Sequence, residues 1–267
     1  MTAIAVTIAG SDPSGGAGIQ ADLKTFSALG VYGASVITAL TAQNTRGVQG
    51  IHDVPPAFVA EQIDSVFSDL DVKAVKIGML SRPAVIEAVV AGLDRHQARN
   101  VVLDPVMIAA SGDPLLVPEA VETLRRALLP RALLVTPNLP EAAALLGEDV
   151  AQTDAAVMGQ ADRILALGPC AVLIKGGHAD GAESVDVLLD HEGFARFSSP
   201  RIDTRNTHGT GCTLSSAIAA GLAQGATLRE AVRAAKEYIA AAIAASDTLR
   251  IGHGHGPVHH FHGLWTA

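Results

Sequence analysis

The stretch Arg205-Asn206-Thr207-His208-Gly209-Thr210-Gly211-Cys212-Thr213-Leu214-Ser215-Ser216 combines small residues, a thiol and the start of an alanine-rich helix. Gly209-Thr210-Gly211 at a helix start offers exposed backbone N–H groups at the positive end of the helix dipole, a local site for an anion. Glycines on both sides of Thr210 permit close approach of a ligand to the backbone, whereas the plain alternative is a helix capped by Thr207 or Thr210. The motif is not a Walker A loop, because no Gly-Lys-Ser/Thr triplet is present, and it lacks the glycine pattern and preceding strand of a dinucleotide fingerprint. Cys212 falls in the first turn, where the dipole favours a thiolate and a lowered pKa. By spacing alone it serves equally as nucleophile, general base or small packed residue.

Other chemistry-bearing residues follow short apolar runs. Asp104 in LDPVM and Glu141 in TPNLPEA suit hard-cation binding, since magnesium often takes only one or two carboxylates with waters and substrate phosphates. Lys175 in LIKGGH provides a point charge beside glycines that admit a phosphate. Asp22 and Lys24 follow the glycine-rich SDPSGGAG, and Gln43 carries both a donor and an acceptor for a heteroaromatic edge. His253, His255, His259, His260 and His262 make up half of the ten histidines. With no cysteine partner and no regular spacing, they read as a packed glycine-rich loop rather than a metal site.

These residues need a scaffold, and the chain alternates short β-branched runs with longer helical patterns, the signature of βαβ units and a mostly parallel sheet. Strands are expected at 4–9, 33–42, 74–77, 100–104, 133–136 and 171–175. Helices are expected at 18–29, 56–69, 83–95, 118–128, 140–146, 154–168, 211–224 and 228–247, several of them opening with proline. SVDVLLD and GFARFSS form an antiparallel hairpin at a sheet edge. In such sheets the ligand crevice lies beyond the carboxyl ends of the strands, so Gly10, Ser11 and Asp12, Gln43 and Asn44, Gly78 and Met79, Asp104 and Pro105, Asn138 and Glu141, and Gly176 to His178 converge on one site.

Composition bounds the function. The 267 residues, 49% of them hydrophobic, are expected to form a single domain spanning 1–267. The net charge of −8 argues against a nucleic-acid or anionic-membrane partner, and 3% aromatics argue against a base-stacking platform. There is no apolar run long enough to span a membrane and no signal-peptide pattern at the start. Only two cysteines occur, which fits a reducing cytoplasm, and Cys170, in the run CAVLI, is expected to be buried.

Taken in order, AGSDPSGGAGIQADLKTFSALGVYGASVITALTAQNT, KIGML, LDPVM, TPNLPEA, LIKGGH, THGTGCTLSSAIA and the GHGHGPVHH tail closely resemble the hydroxymethylpyrimidine and phosphomethylpyrimidine kinases of thiamine biosynthesis, in the ribokinase-like superfamily. The resemblance covers nearly the whole chain. It implies a three-layer αβα sandwich and phosphorylation, by ATP with Mg2+, of 4-amino-5-hydroxymethyl-2-methylpyrimidine and then of its monophosphate. It further implies that Gln43 binds the aminopyrimidine with Asp22, Gly10, Met79 and Val106, and that Asp104 and Glu141 organise magnesium. Lys175 and Asn138 would contact nucleotide, and Gly209, Thr210, Gly211 and Cys212 would form the catalytic anion hole. Cys212 stands where most of the superfamily carries an aspartate base. A homodimer is implied as well. The rival readings are a pyridoxal kinase of the cysteine-containing branch, a thiol enzyme using Cys212 with His208 or His178, and a non-catalytic metal binder built on the histidine tail.

Overall fold

The computed structural model describes residues 2–107, 116–177 and 181–265. An eight-stranded sheet runs in the order β10-β9-β8-β7-β6-β5-β1-β2, built from β1 (Ile4–Ala9), β2 (Tyr32–Ile37), β5 (Ala74–Ile77), β6 (Val101–Leu103), β7 (Leu134–Val135), β8 (Val172–Ile174), β9 (Glu183–Asp190) and β10 (Gly193–Pro200). From β2 to β8 every neighbouring pair is parallel, while β9 and β10 form the antiparallel hairpin at one edge. The two-residue alternation of a strand separates two cores. Val6, Ile8, Val75, Ile77, Val101, Leu103 and Val135 face one side with α2 (Pro56–Asp69) and α3 (Pro83–Arg95). Ala5, Ala74, Val102, Leu134 and Leu173 face the other, under α1 (Gly18–Ala28), α7 (Thr210–Ala223) and α8 (Leu228–Ala244). The result is the expected αβα arrangement.

Two of the expected elements differ in the structure. The run 33–42 is two strands: β2 ends at Ile37, and β3 (Ala39–Asn44) leaves the main sheet to pair antiparallel with β4 (Gly47–Asp53). Thr38 is the switch. Its N–H still bonds Ala9 of β1, its carbonyl accepts from Val54 beyond β4, and its hydroxyl donates to the Met79 carbonyl. Gln43 therefore lies within a strand of a small second sheet and not beyond a strand of the main one. The helix expected at 118–128 is α4 (Pro118–Thr123) continued by a π-helical turn, Leu124–Leu128. Helices α5 (Leu139–Leu146) and α6 (Asp154–Leu165) cover the same face as α2 and α3.

α5 and α8 begin with reciprocal capping boxes, Asn138 with Glu141 and Thr227 with Glu230. α7 does not. Its N-cap is Gly209 at φ +81, and no side chain caps it. Cys170 is exposed rather than buried, because it lies just before β8, where only its backbone N–H is held, by Ala132.

Candidate active site

A cavity of about 680 Å3 opens along the carboxyl ends of the parallel strands and under the small sheet. The uncapped start of α7 forms one wall. The Thr210 hydroxyl donates to the Thr207 carbonyl at 2.6 Å, so neither threonine caps the helix. The backbone N–H groups of Gly209, Gly211 and Cys212 are left with no acceptor among the described residues. The capped-helix reading is thereby replaced by a cradle of bare N–H groups among the described residues. A Cβ on Gly209 would lie 1.8 Å from the Gly16 carbonyl oxygen, so glycine is required there both by packing and by its positive φ.

Beside this cradle stand the acidic and basic residues. Lys175 Nζ lies 2.7 Å from Asp104 Oδ1 and 3.8 Å from Glu141 Oε2. A Cβ on Gly211 would come within 3.2 Å of that Nζ and 3.5 Å of Asp104 Oδ2, which measures how closely the cradle abuts the pair. Burial works against the Lys175 charge, yet Asp104 and Glu141 hold its pKa above the ordinary lysine range. Burial also lifts Glu141 to about 7, opposed by Lys175 and reinforced by the Asp104 charge. Asn138, which lines the cavity, spends its Oδ1 on the Glu141 N–H, and its NH2 has no partner among the described residues. The carboxylate oxygens of Asp104 and Glu141 are hard ligands of the type magnesium prefers. No group of three or more metal-ligating side chains occurs among the described residues.

Gln43, Gly10, Met79 and Val106 line the same cavity. β3 is stitched to the loop after β1 by Ser11 N–H to the Ala39 carbonyl and Thr41 Oγ1 to the Ser11 carbonyl. The Gln43 Oε1 accepts from Thr41 at 3.1 Å, which orients the amide. Asp22 is placed differently from the other expected pocket residues. It is fully buried behind the wall, with its oxygens accepting from Thr7 at 2.6 Å, Ser216 at 2.7 Å and Lys76 at 2.8 Å. Lys24 donates to the Gly15 carbonyl and so braces the glycine loop.

Cys212 also lines the cavity, but burial pushes its thiol up to about 11, partly offset by Lys76. The expected lowering at a helix N-terminus is overturned, since desolvation of a thiolate outweighs the dipole and the charge of Lys76. His208 is held by Asp12 Oδ2 at 2.8 Å rather than by the thiol, and His178 lies outside the described residues. Asp12 also accepts from Ser14, Gly16 and Ala17. Burial would raise its pKa, but the bond and charge of His208, with the Ser14 and Ala17 bonds, bring it to about 2. Asp12 and His208 thus tie the glycine loop after β1 to the cradle.

The histidine tail is a strap. Its Gly254 and His255 N–H groups bond Thr45 at the tip of the small sheet, and the Gly256 carbonyl accepts from His208. Sequence reasoning left two participants without a role, Lys76 and the Asp12–His208 tie. The only local signal for Lys76 was a cation inside an otherwise apolar four-residue strand.

Residues 12–259 match the family model described as phosphomethylpyrimidine kinase. The chain is 62% identical over 265 residues to the hydroxymethylpyrimidine/phosphomethylpyrimidine kinase of Rhizobium meliloti (strain 1021), with 99% of each chain covered. Among solved structures it resembles the phosphomethylpyrimidine kinase of Clostridium difficile 630, at 48% identity and TM-score 0.78, over 88% of this chain and 97% of that one. It also resembles the Bacillus subtilis pyridoxal kinase, solved as an ADP complex, at 40% identity and TM-score 0.90, over 97% and 98%. The chain therefore belongs to the phosphomethylpyrimidine kinase family.

Proposed function

We propose that this single-domain chain transfers the γ-phosphoryl group of ATP first to the hydroxymethyl group of 4-amino-5-hydroxymethyl-2-methylpyrimidine and then to the resulting monophosphate. The observation that carries the proposal is the juxtaposition of three unpaired backbone N–H groups, at Gly209, Gly211 and Cys212, with Lys175, Asp104 and Glu141 in a cavity that Gln43 also lines. Phosphoryl transfer needs mainly positioning and charge stabilisation. The cradle N–H groups receive the negative charge that develops on the transferred group, and Lys175 and the Asn138 amide receive the nucleotide phosphates. Magnesium, held through Asp104 and Glu141, would neutralise phosphate charge. Ile202, Ile239 and Ile243 in the lining suit a nucleotide base. Gln43 reads the aminopyrimidine edge, with Gly10, Met79 and Val106 around the ring and Asp22 fixing the wall behind.

Cys212 takes the hydroxymethyl proton in the first step, whereas the acceptor in the second is already an anion. Cys212→Ala is therefore expected to slow the first single-turnover step by about a hundredfold and the second by far less. Equal losses would remove the base assignment. Identity to pyrimidine kinases exceeds that to the pyridoxal kinase, 62% and 48% against 40%. The deciding measurement is ADP formation with the pyrimidine alcohol, its monophosphate and pyridoxal in parallel. Turnover on pyridoxal alone would overturn the assignment.

The working unit we propose is a cytoplasmic homodimer. Exposed Leu40 and Ile51 on the small sheet and Phe58 of α2 offer an apolar surface for a second copy, and sedimentation of the purified chain tests it. No helix of the described residues is long and apolar enough to cross a membrane.

A further inference from the structure

His208 stands at a junction that the proposed reaction does not yet use. Its ring and Asp12 are both buried, and Nε2 lies 2.8 Å from Asp12 Oδ2. That oxygen also accepts from the N–H groups of Gly16 and Ala17, while Asp12 Oδ1 accepts from the N–H and the hydroxyl of Ser14. One carboxylate therefore shapes the glycine loop after β1 and holds the imidazole against it. The packing is tight. A Cβ on Gly16 would strike the His208 ring, and a Cβ on Gly209 would strike the Gly16 carbonyl. His208 immediately precedes Gly209, the residue at which the cradle begins. Its main chain is held from another direction, since the N–H donates to the Gly256 carbonyl and the carbonyl accepts from Val258 of the tail.

Both attachments lead back to the strand that carries Gln43. On one side, Ser11 bonds β3 twice, through its N–H to the Ala39 carbonyl and through its hydroxyl, which accepts from the Thr41 N–H at 3.3 Å. Ser11 adjoins Asp12, and Asp12 holds His208. On the other side, the His255 N–H donates at 2.8 Å to the carbonyl of Thr45, just past the end of β3, and His255 adjoins Gly256, which holds the His208 main chain at 3.0 Å. The bonds close a ring through β3, the Ser11–Asp12 turn, His208 and the tail. Gln43 lies on one side of that ring and the cradle on the other.

We propose that His208 is a positioning residue for phosphoryl transfer, whose bond to Asp12 holds the loop after β1 and the small sheet in register with the anion cradle. The inference rests on the kinase reading above. Transfer requires the acceptor oxygen and the phosphorus to be held about 3 to 3.5 Å apart and in line, and a shift of about 1 Å costs on the order of a hundredfold in rate. In this role the imidazole touches neither reacting atom. Without its bond the loop and the cradle drift apart. The loss falls on turnover more than on affinity, because Gln43 stays on β3 and Lys175 keeps its bonds to Asp104 and Glu141.

Three substitutions in the full chain test this. His208→Leu removes the bond while keeping bulk, His208→Asn is polar but too short to reach Asp12, and His208→Gln carries an amide N–H out to about where Nε2 stands. Leu and Asn are expected to lower kcat for the pyrimidine alcohol and for its monophosphate by about thirtyfold or more, with each KM, ATP included, within about threefold of the parent. Gln is expected to restore kcat to within about fivefold of the parent, which general loosening of the fold does not explain. Urea unfolding confirms that each variant is folded, and the Asn and Gln pair decides the matter if Leu does not fold. Equal kcat for Asn and Gln overturns the proposal, as does a parent-like kcat in folded His208→Leu. A loss confined to the KM of the monophosphate overturns it too, since His208 would then be a phosphate ligand. If the parent chain turns over pyridoxal and not the pyrimidine, the proposed substrate falls, and the order of kcat among the three variants on pyridoxal still decides the role of His208.

Discussion

At the scale of single residues, the two glycines of the cradle have different physical duties. Gly209 has a left-handed backbone, and a Cβ there would strike the Gly16 carbonyl, whereas Gly211 has no positive φ and a Cβ there would meet only the ends of Lys175 and Asp104 among the described residues. Gly209→Ala is expected to cost about 2 kcal/mol or more in urea unfolding, from φ strain and displaced backbone. Gly211→Ala is expected to keep the unfolding midpoint and lower kcat, because its methyl group moves Lys175 and crowds the transferred group. A Gly211→Ala enzyme with unaltered turnover would place phosphoryl transfer elsewhere. That Gly209, Gly211, Asp104, Glu141 and Lys175 belong together was legible from residue types and strand-end positions. The charge state of Cys212 was not, because a helix dipole can be read from sequence but the desolvation that opposes it depends on what packs around the sulfur.

At the scale of elements, the small sheet and the strap that holds it are the parts the sequence concealed. The run GASVITALTA is uniformly strand-like and carries no glycine or proline at Thr38. The break is made by bonds to Ala9, Val54 and Met79, residues far away in the chain. The strap explains the alternating glycines of GHGHG. A Cβ on Gly252 or Gly254 would meet Thr45 at 2.3 or 2.0 Å, and one on Gly256 would meet Asn206 at 2.1 Å. Gly254→Ala is therefore expected to push the tip of the small sheet away and displace Gln43, two residues before Thr45. The KM for the pyrimidine should rise about tenfold while the KM for ATP stays put, since misplacement of a binding group by a fraction of an ångström is felt that strongly. Steady-state kinetics with each substrate varied in turn checks this.

At the scale of the whole molecule, buried titratable groups couple folding to pH in opposing ways. His260 accepts or donates a 3.1 Å bond with the Thr213 hydroxyl, and burial lowers its pKa to about 4. As pH falls below 6.5 the unfolded chain takes up a proton that the folded chain refuses until about 4. His260 thus subtracts stability progressively over that window, up to about 3 kcal/mol. Glu141, raised to about 7, acts in the opposite sense, because the folded chain binds its proton first. His260→Gln should therefore gain on the parent chain as pH drops from 6.5 to 4, in urea midpoints measured at each pH. Parallel curves for the two proteins would show that the imidazole is not buried neutral.

The sequence by itself determined the βαβ succession of the main sheet and the set of strand ends that carry chemistry, because these follow from periodicity and local composition, which short-range backbone physics reads directly. The edge hairpin and the boundaries of β1, β5, α2 and α3 were of this kind. Only the tertiary structure decided that Thr38 divides a strand, that the tail crosses the molecule to Thr45, that Asp22 stands behind the wall, and that Lys76 lies enclosed against Asp22. Each of these depends on groups distant in the chain sharing one dehydrated space, where desolvation and a few directed bonds outweigh any local preference.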